Sequence, residues 1–135
     1  MILFYEYPKC STCRAAKAEL IKLGVEFEAI DIKTTPPSAS QLKDWMEATG
    51  FELKKYFNTS GNSYRELGLK DKFDSLTLED ALGLLANDGM LIKRPLLIKD
   101  GKILQIGCNR PITRYIEKGS KALSTLEPFS IYKLS

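Results

Sequence analysis

The first part of the chain alternates between short apolar runs and an amphipathic segment. Residues 2–7 and 27–32 are rich in aliphatic and aromatic side chains, which is typical of strands. The segment 11–23 between them, which Gly24 ends, has a helical pattern. Its apolar positions recur at spacings of four and three and predict one buried face: Ala16, Leu20 and Leu23. Strand, helix and strand in this order predict a βαβ unit with parallel strands and a right-handed crossover.

The middle of the chain, about residues 38–89, has mainly helical patterns. Ser38 with Gln41 forms a capping-box signature, which predicts a helix that runs to about Thr49. Thr77 resembles a second N-terminal cap. The helix that it would begin carries four apolar side chains on one predicted face: Leu78, Ala81, Leu82 and Leu85.

Residues 96–98 and 103–106 predict two short strands, and Asp100-Gly101 between them is a hairpin turn signal. Residues 112–116 predict a short helix, and 129–134 are either a strand or a docked tail. Together with the βαβ unit, the hairpin predicts an α/β fold. This fold is a mixed four-stranded sheet with a helical insertion between the βαβ unit and the hairpin.

The composition of the chain limits the kinds of partner and location that we expect for it. The chain has 135 residues, which fits one domain, and its formal net charge of +3 comes from scattered basic residues, so we expect no direct nucleic-acid binding. No apolar run approaches the roughly 20 residues that cross a bilayer, so we expect no membrane partner. The N-terminus lacks the pattern of a signal peptide, and we therefore expect a cytoplasmic protein.

The chain has three cysteines and no histidine. The missing imidazole excludes Ser-His-Asp and Cys-His catalysis, and neither a Cys/His nor a Cys₄ zinc site can form within one chain. We predict no metal site and no cofactor. In a reducing compartment, a C-x-x-C pair is more often redox-active or metal-binding than structural.

Cys10 and Cys13 lie where the first predicted strand turns into the first predicted helix. Unpaired N–H groups and the helix dipole favour a thiolate there. We expect the flanking cations Lys9, Arg14 and Lys17 to add to this effect. Cys10, just before the helix, is the predicted nucleophile. Cys13, one turn inside, is the predicted resolving thiol.

Other interpretations of the same residues stay open. The two cysteines could be ordinary core residues, or half of a zinc site that is shared between two chains. Cys108 is most simply a buried, inert thiol. Pro95 is either a strand-start proline beside a solvated Arg94, or a cis-proline that turns Arg94 toward the dithiol, where Arg94 could pair with a peptide or an anion.

Four segments resemble, in order and spacing, the arsenate reductase-like (ArsC/Spx) family of the thioredoxin superfamily. They are Tyr7-Pro8-Lys9-Cys10-Ser11-Thr12-Cys13-Arg14 with Lys17, then Thr35-Pro36-Pro37-Ser38, then Asn58-Thr59-Ser60-Gly61 followed by Tyr64-Arg65-Glu66-Leu67-Gly68-Leu69, and Asp88-Gly89-Met90-Leu91-Ile92-Lys93-Arg94-Pro95. The resemblance covers about residues 1–118. It implies a thioredoxin-like (glutaredoxin-like) domain over 1–118, with its insertion at about 38–89, and leaves 119–135 as a C-terminal tail.

The resemblance also implies a site. Cys10 and Cys13 would be catalytic, and Thr12, Arg94 and Pro95 would contact substrate, with the Arg94–Pro95 bond cis and Arg94 near the cysteine loop.

The family contains two functional types, namely arsenate reductases linked to glutathione and glutaredoxin, and Spx-like regulators that bind RNA polymerase. This chain departs from the reductases because it has a second cysteine, Cys13, and because Arg94 alone remains of the oxyanion arginines. The leading hypothesis is a thiol–disulfide oxidoreductase that acts on a protein disulfide, a low-molecular-weight disulfide or an arsenate-like oxidant. The alternative is a redox-switched regulator that binds the RNA polymerase α-subunit. The tail has few charges, which favours the enzyme slightly.

Overall fold

A computed structural model describes residues 2–49 and 52–107 of the chain. Four strands form one mixed sheet in the order β2–β1–β3–β4. β1 pairs in parallel with β2 and antiparallel with β3, and β3 pairs antiparallel with β4. The strands are β1 Ile2–Glu6, β2 Phe27–Asp31, β3 Leu96–Lys99 and β4 Lys102–Ile106. The predicted α/β fold, with a parallel βαβ pair and an antiparallel hairpin, is confirmed.

Helix α1 joins β1 to β2, and all the other helices of the described residues lie between β2 and β3, as the predicted insertion requires. Helices α1 to α5 are Ser11–Lys22, Ala39–Thr49, Asn62–Glu66, Leu69–Lys72 and Leu78–Asn87. Three single 3₁₀ turns complete the insertion: Leu53–Tyr56, Phe73–Ser75 and Gly89–Leu91. Among the described residues, no helix has both the length and the apolar character needed to cross a membrane.

The sheet separates two apolar layers. Ile2 and Phe4 of β1 face α1, where they pack with Ala16 and Leu20. Tyr5, on the opposite face, packs with the insertion, and its ring meets that of Trp45 edge to face at 5.7 Å. This division follows from the two-residue period of a strand. All four residues of β3 are buried because β3 is an inner strand with packing on both faces.

The predicted caps and turn are confirmed. The N–H of Gln41 donates to Ser38 Oγ at 3.1 Å, and the N–H of Ser38 donates to Gln41 Oε1 at 2.9 Å. The N–H of Asp80 donates to Thr77 Oγ1 at 3.0 Å. Asp100 and Gly101 have φ values of 50° and 79°, the left-handed pair that a two-residue hairpin turn requires.

Two predicted core positions are wrong. Leu23 is 37% exposed and Leu78 is 44% exposed. Leu23 is the residue that caps the end of α1, and Leu78 is the first residue of α5, so neither continues the buried stripe of its helix. The predicted elements at 112–116 and 129–134 and the thiol of Cys108 lie outside the described residues. The division into a domain 1–118 and a tail 119–135 also reaches beyond them and stays a prediction.

Candidate active site

The dithiol lies at the sheet edge where β1 ends, β3 begins and β4 ends. The register aligns Tyr5 of β1 with Leu96 of β3, and Leu96 with Ile106 of β4. After β1 the chain turns tightly, and the N–H of Cys10 donates to the carbonyl of Tyr7 at 2.9 Å. Cys10 is then the N-terminal cap residue of α1, with extended backbone angles. The turn therefore brings Cys10 to the positive end of the helix, as predicted.

The Cys10 thiol is half-buried and carries no disulfide. Burial raises its pKa, but the N–H and thiol of Cys13, the charge of Arg94 and the N–H of Thr12 together lower the pKa below its ordinary value. Its side chain closes no N-cap hydrogen bond. The N–H groups of the first turn thus remain available to a thiolate. Cys10 has the exposure and the electrostatic surroundings of an attacking thiol.

The Cys13 thiol is fully buried. Burial raises its pKa, the neighbouring Cys10 adds to this effect, and the N–H of Tyr7, 3.5 Å from Cys13 Sγ, partly opposes both, so that the pKa is about 12. Cys13 is therefore a protonated thiol at neutral pH. The two cysteines differ in access and in pKa in the direction that separate attacking and resolving roles require.

Arg94 is the cation that acts on the dithiol. The bond between Arg94 and Pro95 is cis, as the resemblance implies. The guanidinium lies over the ring of Tyr7, 5.5 Å from its centre, and its Nη1 donates to the carbonyl oxygens of Met90 at 3.2 Å and Ile92 at 3.0 Å. Nε is buried and finds no hydrogen-bond partner among the described residues. Arg94 is thus held in place by its own loop and by Tyr7, and is not a solvated charge.

The prediction that the flanking cations lower the pKa of Cys10 is wrong. Lys9 and Arg14 are exposed, and the charge that lowers the pKa of Cys10 comes from Arg94. Lys17 pairs with Glu6, at 2.9 Å between Nζ and Oε2. Arg94 is distant from Cys10 in sequence, but it has the larger effect on the pKa of Cys10 because its side chain is anchored and partly removed from water.

The pair between Lys17 and Glu6 gives a stability prediction. The Glu6 side chain is only 7% exposed, whereas that of Lys17 is 39% exposed. We expect Lys17→Met to lower the free energy of unfolding by about 1–3 kcal/mol, because it leaves a buried carboxylate without its partner. Urea unfolding measures the change. The double variant Glu6→Gln, Lys17→Met is the control and should regain most of the loss. A single variant as stable as the original chain would contradict the prediction.

Tyr7 is a site residue to which the sequence pattern assigns no role. Its N–H contacts Cys13 Sγ, its carbonyl accepts from Cys10, and its ring lies under Arg94. The available signal is its position, since it follows directly on β1 and precedes Pro8 and the cysteines. Thr12 is half-buried and acts on Cys10 through its backbone N–H. The structure therefore brings Cys10, Thr12, Cys13 and Arg94 together at one edge of the sheet.

No group of three or more Asp, Glu or Cys side chains that could hold a metal ion occurs in residues 2–49 and 52–107. Cys10 and Cys13 supply the only thiols in this part of the chain. The chemistry that this arrangement supports is nucleophilic attack by sulfur and disulfide formation.

Comparison with known proteins gives consistent results. Residues 5–114 match the ArsC family. The uncharacterized protein YusI of Bacillus subtilis is 51% identical over 106 residues, which cover 78% of this chain and 89% of YusI. The global transcriptional regulator Spx of Streptococcus pyogenes serotype M1 is 30% identical over 109 residues, 81% of this chain and 79% of Spx.

Among solved structures, one described as a possible arsenate reductase from Streptococcus mutans UA159 superposes with a TM-score of 0.76 at 66% identity. The match covers 79% of this chain and 90% of that one. The family match spans most of the chain, and the solved structure shares its overall fold. The chain therefore belongs to the ArsC family.

Proposed function

We propose that this protein is a thiol–disulfide oxidoreductase, in which Cys10 attacks a substrate disulfide and Cys13 resolves the product. The observation that carries the proposal is the asymmetry of the two thiols. Cys10 is accessible with a lowered pKa, and Cys13 is buried with a raised pKa. A cytoplasmic location, where the dithiol would be kept reduced, fits this role.

The proposed exchange has two steps. The Cys10 thiolate attacks one sulfur of the substrate disulfide, the substrate S–S bond breaks, and the leaving thiolate takes a proton from solvent. Cys13 then loses its proton and attacks Cys10 Sγ, which releases the second substrate thiol and closes the Cys10–Cys13 disulfide. The substrate gains two electrons and two protons, and two external thiols or one dithiol, themselves oxidised to a disulfide, must later return both to the protein.

Thr12, Arg94 and Pro95 are the proposed substrate contacts. The anchored guanidinium of Arg94 would stabilise the leaving thiolate as well as the attacking one. Arsenate is a weaker candidate substrate, because one arginine gives a doubly charged oxyanion few charge-assisted hydrogen bonds.

The test is a trapping experiment. We expect a Cys13→Ser variant to accumulate a mixed disulfide at Cys10, which a reducing agent releases and mass spectrometry identifies. Without the resolving thiol, the first intermediate should persist long enough for capture.

The matched control is Cys10→Ser, which should capture nothing because Cys13 is buried. In the original chain, mild oxidant should protect both cysteines from alkylation carried out in denaturant, which exposes the otherwise buried Cys13 thiol. The proposal fails if the trap recovers nothing and oxidised protein is still alkylated at Cys10 and Cys13.

A second candidate function is a redox-switched regulator that binds the α-subunit of RNA polymerase. It is favoured by the relatives named Spx, one of which aligns over 109 residues. In that case the Cys10–Cys13 disulfide would change binding and would not turn over substrate. Comigration of the oxidised or reduced chain with the C-terminal domain of the polymerase α-subunit, without reduction of any disulfide, would favour this function.

Metal analysis of the reduced protein tests the remaining alternative, a zinc ion shared between two chains.

A further inference from the structure

Two open clefts meet on the helical insertion. One has a volume of about 520 Å³ and the other about 700 Å³, and both are lined by Lys54 and Thr59. We call the two clefts together the cationic groove. Its positive side chains are Lys54, Lys55, Arg65, Lys70 and Lys93.

The charge of the cationic groove is not balanced locally. Only two carboxylates among the described residues, those of Glu52 and Asp71, line it beside the five cations. The groove therefore has a local excess of positive charge, whereas the described residues as a whole carry as many Asp and Glu as Lys and Arg. Positive charge is thus concentrated on one surface of the described part of the chain.

Two of the five cations are held in place without being neutralised. Lys54 Nζ lies 5.4 Å from the centre of the Phe73 ring. Arg65 donates to the carbonyl of Ser60 at 3.2 Å and to Asn62 Oδ1. Within the described ranges, none of the five cations forms an ion pair with a carboxylate. A negatively charged partner would therefore displace no carboxylate from these cations.

One end of the cationic groove reaches the dithiol edge of the sheet. Lys93 and Ile106 line the smaller cleft, and Ile106 is in register with Leu96 and, through it, with Tyr5 of β1. Two strand spacings separate β4 from β1, which is about 10 Å. Lys93 also immediately precedes Arg94. A peptide that reacts with Cys10 can thus extend into the groove.

We infer that the cationic groove binds an acidic peptide segment that flanks the reacting disulfide of a protein substrate. This inference rests on the proposed oxidoreductase function and names its substrate class. The clefts are open and their cations are divided between them, which suits an extended chain better than a single small anion. Phe57 and Tyr64 in the lining are buried, so they offer no exposed ring on which a nucleic-acid base could stack.

The first test compares two synthetic disulfide peptides that differ only in three flanking residues, Glu in one and Gln in the other. We expect the reduced full-length chain to reduce the Glu peptide about tenfold faster at low salt, in the range by which electrostatic attraction raises association rates. The advantage should shrink to about twofold or less near 1 M salt, where the screening length is only about 3 Å.

Two double variants locate the effect. Lys54→Gln with Lys93→Gln should remove most of the preference for the Glu peptide over the Gln peptide. Lys22→Gln with Lys102→Gln is the matched control. It loses the same charge from exposed sites at the opposite end of α1 and at the far end of β4, so it should keep the preference. A preference lost equally in both variants would overturn the inference.

A binding measurement separates this inference from the proposed chemistry. The Glu peptide with serine in place of both cysteines should bind the full chain, as followed by fluorescence anisotropy, and should bind the groove variant at least fivefold more weakly. If this peptide binds but no disulfide is reduced, the proposed chemistry is wrong and the assignment of the groove as a peptide-binding site is supported. If disulfides are reduced without binding or preference, the groove assignment is wrong. Tighter binding of an oligonucleotide of equal charge would likewise overturn it.

Discussion

Replacing Gly89 by alanine should lower the free energy of unfolding by about 3 kcal/mol or more, the size of change that goes with a severe steric conflict. A Cβ at Gly89 would meet the carbonyl oxygen of Ile32 at 1.8 Å and its carbonyl carbon at 2.7 Å. Both are backbone atoms of a buried residue whose N–H donates to the backbone carbonyl of Glu6. Moving them aside would therefore cost free energy. Thermal unfolding should show a midpoint that is lower by more than about 10 °C.

Gly83 provides the matched control for Gly89. It lies in α5 with nothing within 4 Å of an added Cβ, so Gly83→Ala should be neutral or should stabilise by about 0.5–1 kcal/mol. The Gly89 variant should also alter the dithiol. Gly89 begins the turn Gly89–Leu91, and Arg94 donates to the carbonyl of Met90 in that turn. A Gly89→Ala variant as stable as the original chain would show that Gly89 and the backbone of Ile32 do not approach as described.

The reactivity of the two thiols should differ at least a hundredfold at pH 7. The thiolate is the reacting form, and the pKa of Cys10 is lowered while that of Cys13 is raised to about 12. Alkylation by iodoacetamide, followed by mass spectrometry of each peptide, gives a rate for each cysteine as a function of pH. The Cys10 rate should level off at a pH below the ordinary thiol value, and the Cys13 rate should still be rising at alkaline pH.

Arg94→Met should raise the pKa of Cys10, because it removes the positive charge that stabilises the thiolate. At pH 7 a smaller fraction of Cys10 is then ionised, and its alkylation should slow by about threefold or more. Arg94→Lys, which keeps the charge, should restore part of the rate. Arg14→Met is the control for a cation adjacent in sequence and should leave the rate nearly unchanged. Equal slowing by both methionine variants would argue against a specific role for Arg94.

The sequence determined those features that depend on a few neighbouring residues. The capping box at Ser38, the N-terminal cap at Thr77 and the turn at Asp100-Gly101 are local hydrogen-bond and backbone preferences, so they could be predicted without the fold. The parallel βαβ unit follows from the order of its segments and from chain handedness. The position of Cys10 at a helix start is likewise local, since it requires only that β1 ends before the cysteines and α1 begins at Ser11.

The electrostatics of the dithiol were decided by the tertiary structure. The sequence pointed to Lys9, Arg14 and Lys17 because they are near Cys10 in the chain. In the fold, Lys17 pairs with Glu6, and Arg94 takes the active position because β3 runs beside β1 and its first residues reach the cysteine loop. The cationic groove is also a product of folding, since it combines Lys54 and Lys93 from distant parts of the chain. Charge interactions depend on distance through space and on burial, and neither quantity is written in the spacing of residues along the sequence.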